Sequence, residues 1–404
     1  MTHAGGVFLY FLLCYHIDMT ELISFFVILM AGVVFTGLFS RLNVPWVVAM
    51  IVAGIAIGPH GFDIFEPNQT MSFLAEIGLI FLMFSAGLET RISEIKTASK
   101  TVAAIALFNA LIPFTVGFGI GMFFDFSMLA SLLLGTIFVS SSIAVIIPSL
   151  ESNKLIEGRL GKTTVAAAVL EDVASLVLLS IILQSVDQVT PLPLPAFYMM
   201  LFVLLVLLRW AIPRVEKYVA KKEKRAGELF RGEVRTVFVI LLGTVILFEI
   251  LGLHPIIAGF FTGLVLSDTI TSRKLRDRIR TLSYGLFIPV FFVVIGTEAD
   301  LSVFVGASAI VALLAATIFG SIGSKFISGY IGGRFGGFSR ESALVIASAT
   351  IPSLSTTLAV VFSGVSLGIL PKDLITTMVI LSLVSTLVSP LLVSYFAKRL
   401  NSNA

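Results

Sequence analysis

Apolar runs of about 18 or more residues recur from one end of this chain to the other, divided by short polar stretches. Their limits predict thirteen helices, at 21–40, 44–59, 71–89, 99–123, 128–149, 161–184, 195–213, 233–251, 254–268, 282–297, 302–330, 341–364 and 373–397. Runs of that length match the hydrocarbon thickness of a bilayer. No water reaches a backbone group there, so each span must satisfy its own N–H and C=O groups as a helix. The pattern predicts an all-α membrane protein. Residues 1–20 stand apart as an N-terminal segment with no assigned role. Their apolar run VFLYFLLCY is too short to span and lacks the flanks of a cleaved leader, and Met19 would serve equally as a start.

The 57% hydrophobic share and mean hydropathy of +1.05 agree with that pattern, and the placement of the few charges adds to it. All of the 27 Lys and Arg except Lys325 and Lys372 fall in or beside loops that follow odd-numbered helices, or in the C-terminal tail. Loops after even-numbered helices are acidic or neutral. Basic loops favour the cytoplasm, so the N-terminus is expected outside and the C-terminus inside. The net charge of +3 offers nucleic acid nothing, and the single cysteine, Cys14, excludes a disulfide framework. No P-loop, His/Cys metal cluster or nucleophile–His–acid grouping occurs, so neither an enzyme nor a cofactor is expected.

The basic linker 214–235, which holds KKEKR, divides residues 21–213 from residues 236–404. Six helices precede the seventh and six follow the linker, so the two sets insert with opposite orientation. Each set has a hydroxyl-rich helix second from its end: FVSSSIAVIIPS in the fifth and SATIPSLSTTLAV in the twelfth. Paired interrupted segments in inverted repeats point to a transporter's ion site. Pro352 removes a helix donor in mid-span, and Ser140, Ser141 and Ser142 can compensate or bind.

Depth can be counted from the loop anchors. Glu171 follows Lys162, and Lys325 precedes Arg334, by nine residues each, which is about 13 Å of helix. Ser141 and Pro352 fall near the same level. One charge at the bilayer centre costs roughly 2.5–3.5 kcal/mol, so three in one layer imply mutual compensation or a wet cavity. Glu171 and Asp172 project about 100° apart on their helix. One can face an ion cavity while the other pairs with Lys325. Glu76 and Glu249 read as structural or cavity-lining, Asn109 as a packing contact, and His60 and His254 as solvated imidazoles.

These residues resemble the monovalent cation:proton antiporters, in the NapA-type and Kef-type branch. The likeness rests on LNVPWVVAMIVAGIAIGPHGF, AEIGLIFLMFSAGLE, HPIIAGFFTGLVLSD and PVFFVVIGTEADL in that order, and on the acid pair of the sixth helix, here Glu-Asp. The resemblance implies an NhaA/NapA-like fold with crossed interrupted helices, and a homodimer in the cell membrane. It implies a core from about 71–184 and 302–397 that moves against a scaffold. It makes Asp172 the carboxylate that takes Na⁺ or H⁺, Glu171 its partner, Lys325 the paired lysine and Ser141 a hydroxyl of the ion site, with Ser140, Ser142, Pro352, Ser353 and Glu76 as cavity lining. The expected activity is electrogenic exchange of Na⁺ or Li⁺ for H⁺. The rivals are K⁺/H⁺ antiport of Kef type and Na⁺-coupled symport of an organic anion. Glu in the first acid position departs from the usual pair, so the family's rule for electrogenic exchange carries over only by chemistry; IPSLSTTLAV in place of a GGEF-like stretch, and a chain ending without a nucleotide-binding regulatory domain, depart from the Kef pattern.

Overall fold

The computed structural model describes the chain except residues 1–2, 41–44, 90–99, 187–198, 200–202, 204–205, 208, 212–213, 215–230, 252–254, 268–269, 271, 305–307, 372 and 403–404. The helices are α1 (His3–Ser40), α2 (Trp46–Ile57), α3 (Gln69–Glu89), α4 (Lys100–Phe123), α5 (Met128–Val139), α6 (Ile143–Ser152), α7 (Arg159–Val186) and α8 (Arg231–Ile250). They continue with α9 (Pro255–Ser267), α10 (Arg273–Leu282), α11 (Ile288–Thr297), α12 (Ser308–Phe335), α13 (Arg340–Ala349), α14 (Ser355–Ser366) and α15 (Asp373–Ser402). No strand occurs among the described residues. Among the described residues eight segments are long and apolar enough to cross a membrane, and α2, α9 and α14 add shorter apolar helices. The expected seventh helix and the basic linker fall largely outside the described residues, as does His254.

Two boundaries differ instructively from the sequence reading. The eleventh span was expected to end at 330, just before the glycines of YIGGRF. Instead α12 continues to Phe335, and the chain turns at Gly337, whose φ of 78° suits glycine. The tenth span was expected to start at 282, but helical backbone begins at Arg273 and passes through a π turn, Ser283–Phe287, into α11.

The chain forms two compact units. One holds Met1–Leu79 and Leu282–Ser302, the other Ile80–Thr281 and Val303–Ala404. In the first, Ile28, Ala53, Phe65, Met71, Val290 and Val293 form the core. There α2 and α11 approach so closely that a Cβ on Gly54 would sit 2.1 Å from the Val293 carbonyl oxygen. At its edge His60 Nδ1 lies 3.5 Å from Asp300 Oδ1. A hydrogen bond from Ser302 holds the Asp300 carboxyl below its usual range.

The second unit contains both interrupted helices. Its core gathers Ile105, Ile146, Ala167, Ala168, Val345, Ile346 and Val393, from α4, α6, α7, α13 and α15. Ser127 caps α5 by accepting from the Ala130 N–H at 3.2 Å, and Ser339 caps α13 by accepting from the Ser342 N–H at 3.2 Å. Each helix then stops in mid-unit. The chain is extended at Ser140 (ψ 144°) and at Ser142 (ψ 104°) before α6 starts, and the segment Thr350–Leu354, with Pro352 at its centre, separates α13 from α14.

Candidate functional site

A broken helix leaves carbonyls and N–H groups without their i→i+4 partners, and in a buried place these must be met elsewhere. The two breaks meet each other. The Ser142 N–H donates to the Pro352 carbonyl at 2.7 Å, and the Ser141 hydroxyl lies 2.8 Å from the Thr350 carbonyl oxygen. The Ser353 N–H takes the Ser385 hydroxyl of α15 as acceptor at 3.2 Å. Four half-helix ends thus converge. The C-terminal ends of α5 and α13 carry partial negative charge, and the N-terminal ends of α6 and α14 partial positive charge.

Glycine at 329 lets α12 come near this crossing. A Cβ there would lie 2.8 Å from both the Ala347 Cα and the Thr350 Oγ1. Gly329→Ala is therefore expected to destabilise the unit by about 1–3 kcal/mol through overpacking. Thermal unfolding in detergent tests this, and an unchanged midpoint would show that the helices can move apart without cost.

Three charged side chains sit in this layer, all essentially removed from solvent: Glu171 is 1% exposed, Asp172 5% and Lys325 0%. Lys325 donates to the Val139 carbonyl at the end of α5, to the Ser141 hydroxyl at 2.7 Å and to Glu171 Oε2 at 3.0 Å. An ammonium has three hydrogens, and all three are engaged. Glu171 is as fully held. Its Oε2 accepts from Ser141 at 2.6 Å and from Lys325, while its Oε1 accepts from the Asn109 amide at 2.8 Å. Ser328 donates to Asn109 Oδ1 at 2.5 Å, which turns the NH₂ of that amide toward Glu171.

Asp172 is held differently. Its side-chain hydrogen bonds both fall on Oδ1, from the Ser140 hydroxyl at 2.9 Å and the Thr356 hydroxyl at 3.3 Å. Oδ2 is left to present to something else. Thr356 lies in the first turn of α14, so the carboxylate sits where a helix N-terminus favours negative charge. One buried hydroxyl nearby, Ser142 Oγ, has no hydrogen-bond partner. A carboxylate oxygen, hydroxyls and break-segment carbonyls form a hard, all-oxygen donor set. Among the described residues no group of three or more His, Cys, Asp or Glu converges.

The structure brings together Glu171, Asp172, Lys325, Ser140, Ser141, Ser142, Pro352 and Ser353. It divides the serines in a way the sequence did not suggest: Ser140 bonds Asp172, and Ser141 bonds Glu171 and Lys325. Glu76 lies in the first unit, exposed on α3. Asn109, Ser328, Thr350 and Thr356 were not expected as site residues. Asn109 carried the clearest signal, an amide in an apolar helix, and Ser328 shares the face of Lys325 three residues on.

Comparison with known proteins adds three findings. The model of the family described as "Sodium/hydrogen exchanger, transmembrane" matches residues 5–399. The probable Na⁺/H⁺ antiporter 3 of Methanocaldococcus jannaschii is 31% identical over 385 residues, covering 94% of this chain and 98% of its own, and a Na⁺/H⁺ antiporter of Enterococcus hirae is 30% identical over 384 residues, covering 93% and 98%. The solved sodium proton antiporter MjNhaP1 of M. jannaschii shares the fold, with a TM-score of 0.68 at 19% identity over 94% of this chain and 98% of its own.

Proposed function

Since the chain belongs to the sodium/hydrogen exchanger family, we propose that it is a secondary transporter exchanging Na⁺ or Li⁺ for H⁺ at Asp172. The observation that carries this reading is the asymmetry of the acid pair. Glu171 has both oxygens occupied by Asn109, Ser141 and Lys325, while Asp172 keeps Oδ2 free beside hydroxyls and helix ends. A dehydrated alkali cation needs several oxygens in place of its water. Asp172, Ser140, Thr356 and carbonyls of the breaks supply them, and water the rest. One carboxylate cannot hold a proton and a cation together, so their fluxes run in opposite directions.

The exchange is electrogenic in this reading, with two protons per cation. The second proton is carried when the Glu171–Lys325 pair opens during the cycle. Moving one net charge across the membrane is worth about 2.3 kcal/mol per 100 mV, enough to drive Na⁺ outward against a gradient. The breaks of α5–α6 and α13–α14 mark corresponding places in two inverted six-helix repeats of a thirteen-span, NapA-type chain. It lies in the cell membrane with its N-terminus outside and its C-terminus in the cytoplasm, as a homodimer.

Two other readings fare worse. Symport of an organic anion needs a cationic partner for the anion in the site, and Lys325 has no hydrogen left to offer. K⁺/H⁺ exchange would use the same donor set, widened for a larger ion. Proton flux in sealed proteoliposomes separates them. Na⁺ and Li⁺ are expected to drive it and K⁺ not, and flux driven by K⁺ alone would assign the protein to K⁺/H⁺ exchange.

Competition for one carboxylate also fixes the sign of the pH dependence. As pH falls below the value at which Asp172 is half protonated, the apparent KM for Na⁺ should rise toward tenfold per pH unit while the maximal rate at saturating Na⁺ changes less. A KM independent of pH, with only the rate changing, would place proton and cation on different groups.

A further inference from the structure

Behind the ion pair, one hydroxyl has a choice of acceptors. Ser328 donates to Asn109 Oδ1 at 2.5 Å and also lies 3.0 Å from the carbonyl oxygen of Lys325 on its own helix. Both Asn109 and Ser328 are fully buried. A close approach of α4 and α12 puts them within reach of each other. One turn away, a Cβ on Gly332 would sit 2.8 Å from the Ile105 Cα. The Asn109 amide in turn donates to Glu171 Oε1 at 2.8 Å. A chain of partners thus runs from the Lys325 carbonyl through Ser328 and Asn109 to the glutamate.

Every link in this chain can be reversed. A hydroxyl both donates and accepts, an amide has a donor at one corner and an acceptor at the other, and a carboxyl group turns from acceptor to donor when it takes a proton. With Glu171 ionised, the NH₂ of Asn109 faces it and Ser328 gives its proton to Oδ1. With a proton on Glu171 Oε1, a half-turn about the last side-chain bond of Asn109 brings Oδ1 to the acid O–H. The NH₂ then faces the Ser328 oxygen, and the Ser328 proton goes to the Lys325 carbonyl. Neither arrangement leaves a buried polar atom of the chain unpaired, which in an apolar interior would be costly.

We propose that Asn109, with Ser328, is a reversible positioning residue for Glu171 and makes Glu171 the carrier of the second proton. This rests on the two-proton reading of the exchange. The proton comes from water on the side to which the site is open and returns to water on the other. The only covalent bond made and broken is the O–H bond of Glu171. Lys325 stays an ammonium and keeps the Val139 carbonyl, at the negative end of α5, as a partner. The charged groups beside Glu171 are Lys325 and Asp172. Other charges on α12 and on the helices packed against α7 stand near helix ends: Arg334 on α12, Lys100 on α4, Glu151 on α6, and Arg340 and Glu341 on α13.

Infrared difference spectra of the purified full-length protein test this without transport. Isotope-labelled asparagine marks the side-chain amides, and the pH is lowered stepwise. The wild type is expected to show a carboxylic-acid C=O band that is absent from Glu171→Gln. With it, at the same pH midpoint, should come a shift of the labelled amide band that is lost in Asn109→Leu. Ser328→Ala keeps Asn109 but deprives Oδ1 of its donor while Glu171 is ionised. Its amide band should therefore start at higher frequency, and the shift on acidification should grow. That variant keeps the test decisive should Asn109→Leu not fold. A Glu171 band with an unmoved amide band would overturn the proposal and make Asn109 a fixed contact. So would the absence of a Glu171 band at every pH at which the protein stays folded. Na⁺-driven flux in proteoliposomes is read separately. Flux without these bands leaves antiport standing and removes the reversible amide, whereas both bands in a protein without flux support the reversal and overturn antiport.

Discussion

Asp172→Asn is expected to abolish Na⁺-driven proton movement, to the level of empty liposomes, in a protein that folds as well as the wild type. The amide has nearly the shape of the carboxylate, and its carbonyl oxygen can still accept from Ser140 and Thr356. What it loses is the charge. Two unit charges about 4 Å apart at an effective dielectric of 20 attract by roughly 4 kcal/mol, close to a thousandfold in cation affinity. The proton-carrying group goes with it, so neither half of the exchange survives. Flux in proteoliposomes and the unfolding midpoint are to be measured together. Undiminished flux at an unchanged midpoint would make the acid pair structural and remove the ground for the proposed mechanism.

The second large effect concerns the ion pair beside it. Lys325→Ala leaves Glu171 buried, with Asn109 and Ser141 as its remaining donors and no counter-charge at 3.0 Å. Removing one partner of a buried pair destabilises by about 3–5 kcal/mol, while replacing both with neutral groups is often nearly neutral. Lys325→Ala alone should therefore lower the unfolding midpoint strongly, and Lys325→Met with Glu171→Gln should restore most of it. The paired variant is also informative about coupling. If the pair carries the second proton, its loss leaves one proton per cation. The transport rate then no longer responds to an imposed membrane potential. A paired variant that remains as voltage-sensitive as the wild type would place the second charge elsewhere.

Much of this site was legible because charge is expensive in a membrane. Glu171, Asp172 and Lys325 stood out of apolar helices, and counting residues from the basic loops put them in one layer with Ser141 and Pro352. The hydroxyls and amides did not stand out. Membrane helices tolerate Ser, Thr and Asn cheaply, so nothing in the sequence separated Thr356 and Ser328 from the many hydroxyls that bond only their own helix, as Thr136 and Ser149 do. The division of the serines was hidden for another reason. On a helix Ser140 and Ser141 would project about 100° apart, but in the extended break neighbouring side chains point to opposite sides. Ser140 reaches one acid and Ser141 the other. The run RKLRDRIRTL falls between the ninth and tenth expected spans because only three of its ten residues, Leu275, Ile279 and Leu282, are apolar.

The Ser141 hydroxyl has one proton to give and two oxygens within reach, Glu171 Oε2 at 2.6 Å and the Thr350 carbonyl at 2.8 Å, while Lys325 donates to one of its lone pairs. It can serve one acceptor at a time. When it favours Glu171, the carbonyl at the end of α13 is released; when it favours Thr350, the two broken helices are tied and the glutamate is loosened. The joint between the two breaks thus always holds one bond fewer than its acceptors invite. Such a deficit works like play in a bearing: the crossing can trade partners by turning a single O–H, with no bond first torn out of the apolar interior.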